Sequence, residues 1–587
     1  MDILISTYRP LTLLLSIISA ALIGNAQTFD ASNSTAWENA GLVAPFEIPE
    51  NEVNILDFGA DNTGATSCNS AYNSAISNLN GAAGTVYFPE GEYLFESGIS
   101  IPSYTVLKGE SAETVLKFDL GGSGDAIIVN GTLHSQQHSL AQSAAKGTNS
   151  IELSDASAFS VGELVRLGLD DEDIMFSSWA YGTLGQVNEI VAINGNTLEL
   201  ADPLNRAYPL SRSPFVRRIE PKRNVGISCF KIIREDATSG QTDNIYFRNT
   251  FNCFVKNIES FKCNFGHLTV QSSAHIQIEN SYFHHAHAYG GGGQGYGVVF
   301  QEASSFNLAQ NNSFEHLRHS MLLQSGANGN VYGYNYSIDP FWEDGFLPSN
   351  SAGDAVLHGN HPYLNLFEGN VIQNIVVDAS HGNNGPHNTF FRNRAELYGF
   401  FSDSGTPTDS MNVVGNEITN SGFPYGLYSV NGQGHQTFGN NVNGTVNPSG
   451  TNTLTLESLY LDEFEEFEFL EFADLPLVGY PLSIDSENIP AQQNYLDGTP
   501  VSCNTMITSI RTEQESSTAE VIGLNLMVDA KLLPATVQMF DMNGNLVAEK
   551  SVSSSISALP KVTSTGVYVV RVVGRKEIHN IKVLITP

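Results

Sequence analysis

An asparagine recurs along the middle of this chain at an almost constant interval. The distances from one to the next are 23, 32, 23, 35, 23, 23 and 24 residues, so a unit of about 23 residues repeats and two intervals exceed it by 9 and 12. A fixed period in this range is typical of stacked structural repeats. The eight asparagines are Asn257, Asn280, Asn312, Asn335, Asn370, Asn393, Asn416 and Asn440.

A unit of this length is too short to bury an apolar face alone, so successive units must stack. Short apolar segments at residues 276–278, 331–332 and 412–414 can supply strands, and stacked rungs of this kind form a parallel β-helix. Asparagine tolerates left-handed backbone geometry, and its amide can hydrogen-bond from rung to rung as a ladder. We therefore predict that the repeated asparagines are structural.

The two long intervals correspond to extra residues at 286–296 and 338–353. A uniform solenoid gains no stability from such loops, whereas outgrown loops on a rigid scaffold commonly carry binding and chemistry. We therefore expect a functional cleft beside them, over residues 284–394.

The chain starts with a segment typical of export. Residues 1–26 combine Arg9, an apolar run at 11–23 and the small residues Gly24 and Ala26, which predicts a cleavable signal peptide. No later segment is long and apolar enough to span a bilayer. Five cysteines in so long a chain do not form a disulfide framework. We expect an exported monomer that packing stabilises.

The net charge limits the partners. With 27 basic and 61 acidic residues the formal charge is −34, which argues against nucleic acid, because phosphate backbones are bound by Lys and Arg. An acidic surface also repels polyanions unless a basic cleft or a divalent cation compensates. We therefore predict that the protein requires no cofactor, and Ca²⁺ is the one candidate ion.

The N-terminal block carries a family resemblance. It contains DFGA at residues 57–60, a stretch with Ala71 and Ala75 suited to a short helix, GTVYFP at 84–89 and GEY at 91–93. These motifs resemble the opening of the pectate-lyase-like superfamily, which includes rhamnogalacturonase-like and epimerase-like members. The resemblance implies a right-handed parallel β-helix, a single-stranded solenoid over residues 27–505, capped by that helix and acting on an extracellular polysaccharide. The turn at 65–69 lacks the usual acidic residue, so no carboxylate role carries over to it.

Two further regions interrupt or follow the repeat in this all-β chain. Between residues 131 and 220 the interval is absent, and alternating segments at 163–167, 189–193 and 197–200 predict an inserted β subdomain beside the cleft. Trp179 and Tyr181 could stack on sugars, but we favour a place in the core of this subdomain.

After a linker at 506–515, strand-like segments at 537–541, 544–547, 567–572 and 578–584 predict a small C-terminal β-sandwich domain over 516–587. It resembles the C-terminal sorting domain of the type IX secretion system of Bacteroidetes. The resemblance implies that the type IX machinery is a partner and that the protein passes through the periplasm and outer membrane to the cell surface or medium. The matching residues are Asp541, Gly544, Gly566, Tyr568, Val570 and Lys582.

Nine of the fifteen histidines lie between residues 284 and 400. Equivalent positions of parallel rungs lie about 4.8 Å apart, and histidine titrates near neutral pH, so stacked histidines can serve as acid, base or ligand. Their spacing fits no defined zinc site, and we predict no metal. Counting from the ladder pairs His284 with His316, His287 with His319, and His358 with His381, with His361 and His387 nearby.

Glycoside hydrolysis needs two carboxyl groups, one protonated and one ionised. The candidates are Asp344 in the second inserted loop, beside a possible sugar platform at Trp342, and Asp354 and Asp378 at nearly equivalent rung positions. Residues 284–400 contain three arginines against nine acidic residues, which is a poor host for a polyanion. This balance places hydrolysis slightly first.

Two alternatives stay open. A polysaccharide lyase or uronate epimerase needs a base and a cation that neutralises the uronate carboxylate. His319 or His358 could be the base, His361 the acid, and Arg318, with Arg392 and Arg394, the cation. A non-catalytic glycan-binding or adhesive solenoid is the second alternative.

Overall fold

The computed structural model describes residues 29–503, except 44–45, 47, 346, 452–453, 462–477 and 481–487, and strands between 519 and 585. The predicted signal peptide, linker and most of the acidic run at 461–474 lie outside the described residues. The chain divides into two compact units, residues 1–505 and 506–587. None of the helices in the described residues is long and apolar enough to cross a membrane.

The first unit is a right-handed parallel β-helix, which confirms the predicted fold class. One wall is a 13-stranded parallel sheet in which strands from successive turns pair in order along the axis. Its strands are Glu52–Asn54, Gly84–Phe88, Thr105–Gly109, Lys222–Arg223, Gly226–Ser228, Thr250–Lys256, Ala274–Glu279, Leu308–Gln310, Val331–Gly333, Leu366–Glu368, Thr389–Phe391, Asn412–Val414 and Gln436–Phe438.

The remaining walls belong to a 21-stranded sheet, because the long strands Val371–Val377 and Arg394–Ser402 each pair across two walls. One wall contains Thr63–Ser67, Gly91–Phe95, Thr114–Phe118, Lys231–Arg234, Glu259–Cys263, Tyr282–Ala286, Ser313–Glu315, Tyr336–Ile338, Glu417–Ile418, Asn440–Val442 and Thr445–Asn447. The other contains Ile99–Ser100, Ile127–Asn130, Ile245–Arg248, Gly266–Gln271, Tyr296–Gln301, His319–Leu323, Ala355–Leu357 and Leu427–Ser429.

Apolar side chains from all walls fill the interior of the helix. Tyr332, Phe367 and Phe390 occupy equivalent positions of one wall, and their rings stack along its axis with centroids 5.2 and 5.1 Å apart. Phe300, from another wall, stacks on Tyr332 at 4.8 Å. Stacked burial of this kind ties each rung to the next.

The asparagine ladder is present, but it begins at Asn312 rather than at Asn257. Asn335 accepts hydrogen bonds from the backbone and side-chain amides of Asn312, both at 3.0 Å, and the pattern repeats through Asn440. Asn257 and Asn280 occupy the preceding, left-handed column, with φ of 55° and 52°. The interval of 32 residues therefore joined two adjacent columns.

A second ladder runs five residues earlier along each rung and was not predicted. Asn307 donates its backbone N–H to the side-chain oxygen of Asn330, which in turn bonds to Asn365, and Asn365 to Asn388. Two corners of each rung are thus fixed by buried amides.

Two α-helices are described. Asn69–Asn78 places Ala71, Tyr72 and Ala75 in the core of the first rungs, and Pro490–Leu496 packs near the strand Ser313–Glu315. The 3₁₀ helices are Ala31–Asn33, Trp37–Asn39, Ile55–Phe58, Ser178–Ala180, Leu210–Arg212 and Pro348–Asn350.

The inserted region forms an antiparallel sheet with its own core, which packs against Tyr363 and Leu364 of the helix. Its strands are Thr132–Leu133, His138–Ser139, Ser150–Glu152, Leu164–Gly168, Gln186–Asn194, Thr197–Leu200 and Phe215–Glu220.

The second unit contains two antiparallel sheets. One consists of Ala519–Ile522, Asn525–Val528 and Ile556–Ala558, and the other of Ala535–Phe540, Leu546–Val552, Gly566–Val573 and Ile578–Ile585.

Candidate active site

Four neighbouring strands of one wall bring the candidate site together: Tyr296–Gln301, His319–Leu323, Ala355–Leu357 and Val371–Val377. They pair in parallel, with Tyr296 opposite His319 and Leu357 opposite Val377. The residues that follow the last pair, His358 and Asp378, therefore lie side by side on successive rungs.

His358 and Asp378 form a hydrogen-bonded pair. His358 Nδ1 lies 2.7 Å from Asp378 Oδ2. Burial alone would raise the pKa of Asp378, but the charge of His358 and hydrogen bonds from His358 and Ser380 hold it well below its usual range. An ionised carboxylate only accepts hydrogen bonds, so His358 carries its proton on Nδ1 and presents Nε2 as a base.

His319 lies beside this pair, with its ring centroid 5.5 Å from that of His358. Its Nδ1 is 3.1 Å from the carbonyl oxygen of Gly353, which only accepts, so His319 also carries its proton on Nδ1. Burial, and next the charge of His358, lowers the pKa of His319 to about 3. His319 is therefore neutral at neutral pH.

Tyr296 and Arg318 complete the group. The Tyr296 ring lies 5.1 Å from that of His319, and burial raises its pKa to about 12. The Arg318 guanidinium lies 5.7 Å from the Tyr296 ring and 4.8 Å from the ring of Trp342, and donates to the carbonyl of Gly290 at 2.6 Å. Its buried Nε–H has no hydrogen-bond partner within the described part of the chain. We call Tyr296, Arg318, His319, His358 and Asp378 the acid–base cluster.

His381 links the acid–base cluster to the inserted domain. Its ring lies 5.0 Å from that of His358 and 5.5 Å from that of Trp179. The two predicted partners are in contact but not in the predicted register, because Asp378 rather than His381 lies opposite His358. Its Nδ1 is 3.3 Å from Ser177 Oγ. Burial, and next His358, lowers the pKa of His381. The inserted domain thus borders the site directly.

A row of polar residues extends from the cluster along the helix. Gln324 and Gln301 precede His358 on successive rungs and are bonded to each other at 2.6 Å, and Gln271 and Arg248 continue the row. Sequence reasoning missed this row, although Gln301 and Gln324 are 23 residues apart, the length of the repeat.

The predicted carboxylate pair does not form. Asp354 is fully buried and accepts hydrogen bonds from Ser337 Oγ and from the backbone N–H groups of Gln373 and Asn374. It lies opposite Asn374, so about 13 Å of strand separates it from Asp378. Burial raises the pKa of Asp354 to about 7. The prediction that Asp354 and Asp378 occupy nearly equivalent positions is wrong.

Asp344 lies in an exposed turn of the loop at 338–353. Trp342, predicted as a sugar platform beside it, is partly buried against Arg318. This loop therefore covers part of the acid–base cluster.

A second group of histidines forms on another wall, with a register different from the prediction. His284 lies opposite Glu315, whereas His285 contacts His316, with ring centroids 5.1 Å apart. His284 Nε2 lies 2.9 Å from Glu259, and His316 Nδ1 lies 2.7 Å from Asp339. These histidines sit in ion pairs away from the acid–base cluster.

The other predicted binding residues are dispersed. His287 bonds to the carbonyl of Arg234, so it is not the neighbour of His319. Arg392 is buried and donates to the carbonyl of Leu456, and Arg394 pairs with Glu417 at 3.2 Å. Neither arginine contributes to the cluster.

His361 and His387 also lie outside the acid–base cluster. The His361 ring is 6.0 Å from that of Tyr363, and burial, and next Arg206, lowers its pKa to about 3. His387 lies near Asp30 and Lys146, and burial lowers its pKa.

Among the described residues, no group of three His, Cys, Asp or Glu side chains is arranged to hold a metal ion. Whether Ca²⁺ binds is a prediction that the structure does not test.

A family model described as "Rhamnogalacturonase A/epimerase, pectate lyase-like" matches residues 52–162, which supports the superfamily resemblance for this part of the chain. No curated protein matches the chain significantly.

Several solved structures share the architecture at low sequence identity. The tailspike protein gp49 from Pseudomonas phage LKA1 is 15% identical, with 66% of this chain and 77% of that chain covered and a TM-score of 0.49. An exopolygalacturonase from Thermotoga maritima is 13% identical, with 65% and 84% covered and a TM-score of 0.38. The A-module of the Azotobacter vinelandii mannuronan C-5 epimerase AlgE6 is 13% identical, with 65% and 98% covered and a TM-score of 0.30. Similarity at this level does not define an activity.

Proposed function

We propose that this protein is a polysaccharide-active enzyme that removes the proton next to the carboxylate of a uronate residue, as a lyase or an epimerase. The observation that carries this proposal is a pair of histidines, His358 and His319, each held with its proton on Nδ1 beside Tyr296. In its neutral form each histidine then presents the lone pair of Nε2, which can accept a proton from carbon.

Four members of the acid–base cluster have defined roles in this chemistry. His358 takes the proton from carbon, and Asp378 stabilises the imidazolium that results. Arg318 neutralises the uronate carboxylate, whose negative charge grows as the carbon loses its proton. In elimination the electron pair of the C–H bond forms a C=C bond, the glycosidic C–O bond breaks, and Tyr296 protonates the leaving oxygen. In epimerisation Tyr296 gives its proton to the opposite face of the same carbon. In both reactions solvent then returns a proton to Tyr296 and takes the abstracted proton from His358.

The same geometry gives little support to hydrolysis by paired carboxylates. Such pairs lie about 5 to 9.5 Å apart and share access to the sugar, whereas Asp354 is sealed inside the helix and Asp344 lies on an exposed turn. Asp378 is the one carboxylate of the acid–base cluster. We therefore place lyase or epimerase chemistry ahead of the hydrolase that the sequence favoured.

Arginines outside residues 284–400 also bear on a uronate substrate. Arg248 belongs to the polar row, and Arg206 of the inserted domain lies 5.4 Å from the ring of Tyr363. A polyanion bound along the row would therefore meet Arg248 as well as Arg318 of the acid–base cluster, even though the whole chain is acidic.

The family match at residues 52–162 agrees with this proposal, since its description names an epimerase and a pectate-lyase-like fold. The match covers the N-terminal cap and early rungs rather than the acid–base cluster, so the choice of reaction rests on the cluster.

The test is incubation with polygalacturonate, alginate and neutral polysaccharides, with and without Ca²⁺, while reducing ends and ultraviolet absorbance are recorded together. Elimination gives reducing ends with absorbance from the unsaturated uronate. Epimerisation gives neither, but changes the uronate signals in NMR spectra. Reducing ends without absorbance would indicate hydrolysis and overturn the proposal.

A non-catalytic glycan-binding role is the second candidate. His319, His358 and Tyr296 are each less than a tenth exposed, and side chains this buried have little access to a substrate. Binding of a polymer with no chemical change by any of these readouts would favour it.

We further propose that the protein is secreted or displayed at the cell surface by the type IX system. The N-terminal segment and the second unit support this route. Cell fractionation and mass spectrometry of the mature protein test it, since both residues 1–26 and the C-terminal domain are expected to be absent from the mature chain.

A further inference from the structure

The inserted domain presents an unusual exposed apolar surface. Phe176, Trp179 and Tyr181 are 68%, 48% and 42% exposed, although the sequence favoured a core position for the last two. Three large aromatic residues within six positions are left in water, beside a domain whose core is complete without them. We call these three residues the aromatic lip.

Four hydrogen bonds to two side chains hold the backbone that carries the aromatic lip. The side-chain oxygen of Asn360, on the β-helix, accepts the N–H groups of Phe176 and Ser177 at 3.0 and 2.9 Å. Asp171 accepts the N–H groups of Gly182 and Leu184 at 2.7 and 2.8 Å. The exposed rings thus stand on a fixed segment, which lowers the ordering cost of binding.

The aromatic lip adjoins the acid–base cluster. The Trp179 ring meets the His381 ring edge to face at 5.5 Å, and the His381 ring lies 5.0 Å from that of His358. Phe176 lies against Gly382, where a Cβ atom would come within 2.4 Å of the Phe176 Cβ. The absence of a side chain at Gly382 therefore leaves space for Phe176 beside the site.

We propose that the aromatic lip binds the C–H face of a pyranose ring of the polymer, next to the ring that reacts. This inference rests on the proposed function. A pyranose presents an apolar C–H face and polar edges, and aromatic side chains combine a large apolar face with low conformational cost. Stacking uses the apolar face of the ring rather than its charge. The lip therefore contributes affinity, while the acid–base cluster contributes chemistry.

The test separates binding from turnover. Retardation in gels containing polygalacturonate or alginate is measured in a His358→Asn background, which binds without reacting. Trp179→Ala and Phe176→Ala should each weaken binding about five- to tenfold, as expected for the loss of an aromatic contact, and Trp179→Phe should recover part of the loss. Val161→Ala is the matched control, since Val161 is 61% exposed on the same domain, in the turn next to Ile190.

Two further readouts follow from the structure. With His358 intact, Phe176→Ala should raise KM and leave kcat within twofold, because Phe176 makes no contact with the acid–base cluster. Of the three tryptophans, Trp37 is buried, Trp342 packs against Arg318 of the acid–base cluster, and Trp179 is half exposed. Oligouronate binding should therefore change tryptophan fluorescence, and the change should be smaller in Trp179→Phe than in the wild-type protein.

The failures are distinguishable. Wild-type affinity in Trp179→Ala and Phe176→Ala, with turnover intact, overturns the lip and leaves the proposed function standing. A loss of affinity in Val161→Ala equal to theirs overturns the lip as well. No binding and no turnover of any uronate polymer by the wild-type protein overturns both.

Discussion

The proposed chemistry depends on which nitrogen of each imidazole carries the proton. Asp378 and the carbonyl of Gly353 both accept hydrogen bonds, so both His358 and His319 are held in the same tautomer. Neither contact is visible in the sequence, because both partners lie on a neighbouring rung.

Asp378→Asn tests the pair formed by His358 and Asp378. An asparagine amide would donate to His358 Nδ1 and drive the proton to Nε2, which removes the base. We expect kcat to fall about 10³- to 10⁴-fold, with the circular dichroism spectrum unchanged. Asp344→Asn, in the exposed loop, is the control and should keep wild-type activity; the opposite pattern would favour a hydrolase that uses Asp344.

Buried neutral histidines also predict how stability depends on pH. Burial lowers the pKa of His319 and of His361 to about 3, whereas a histidine in the unfolded chain titrates near 6.5. The unfolded state therefore binds more protons between about pH 6.5 and 3. The contribution of the two histidines to the free energy of unfolding is fully present above about pH 6.5. Below that pH the free energy of unfolding falls by up to about 1.4 kcal/mol per pH unit for each histidine.

Thermal denaturation from pH 7.5 to 4 measures this dependence. His319→Gln should show a shallower loss of Tm with acidification than the wild-type protein, whereas the more exposed His134→Gln should follow the wild-type curve. Parallel curves for all three proteins would contradict the burial-induced shift.

Among the structural elements, the repeat interval predicted the solenoid and the ladder, and the two insertions led to the expectation of a cleft over residues 284–394. The interval failed where it crossed the first insertion, because Asn280 belongs to the column of Asn311 rather than that of Asn312. The same shift displaced the predicted partners of His284 and His287. A period shows which residues recur, but an inserted loop can restart the count one residue away.

The lip and the covering loop could not be predicted in this way. The contacts of Ser177 and Trp179 with His381 join segments that share no period. Such contacts depend on how an insertion folds back on the helix, which the spacing of residues does not encode. The tautomers are equally inaccessible from sequence, since they depend on single hydrogen bonds.

Asn335→Ala tests the ladder. The substitution removes the acceptor for the backbone and side-chain N–H groups of Asn312, and the donor to the carbonyl of Ala309 and to Asn370 Oδ1, so four buried hydrogen bonds are lost. We expect the free energy of unfolding to fall by about 2 to 4 kcal/mol in denaturant titrations. Asn73→Ala, on the exposed face of the helix Asn69–Asn78, should change it by less than about 0.5 kcal/mol; an equal loss at both sites would argue against the ladder.

In the whole molecule, all parts of the proposed site belong to the first unit. The acid–base cluster, the polar row and the aromatic lip all lie within residues 1–505, and the second unit is compact by itself. The acidic composition of the chain sets the surface charge, but the local arginines decide what the site can accept.

Removal of residues 506–587 should therefore leave the Tm of the β-helix and its kcat unchanged within error. Calorimetry and the polysaccharide assay on the full and shortened proteins provide the comparison. A large drop in either would mean that the second unit stabilises or completes the site.

Proton removal from the carbon next to the uronate carboxylate is the central claim, and NMR in heavy water tests it most directly. The account predicts that polygalacturonate or alginate treated with the wild-type protein either gains deuterium at that carbon or gains the vinyl signal of the unsaturated uronate, and that Asp378→Asn slows this change at least 10³-fold. Chain cleavage in which that carbon keeps its original proton, at a rate unaffected by Asp378→Asn, would contradict it.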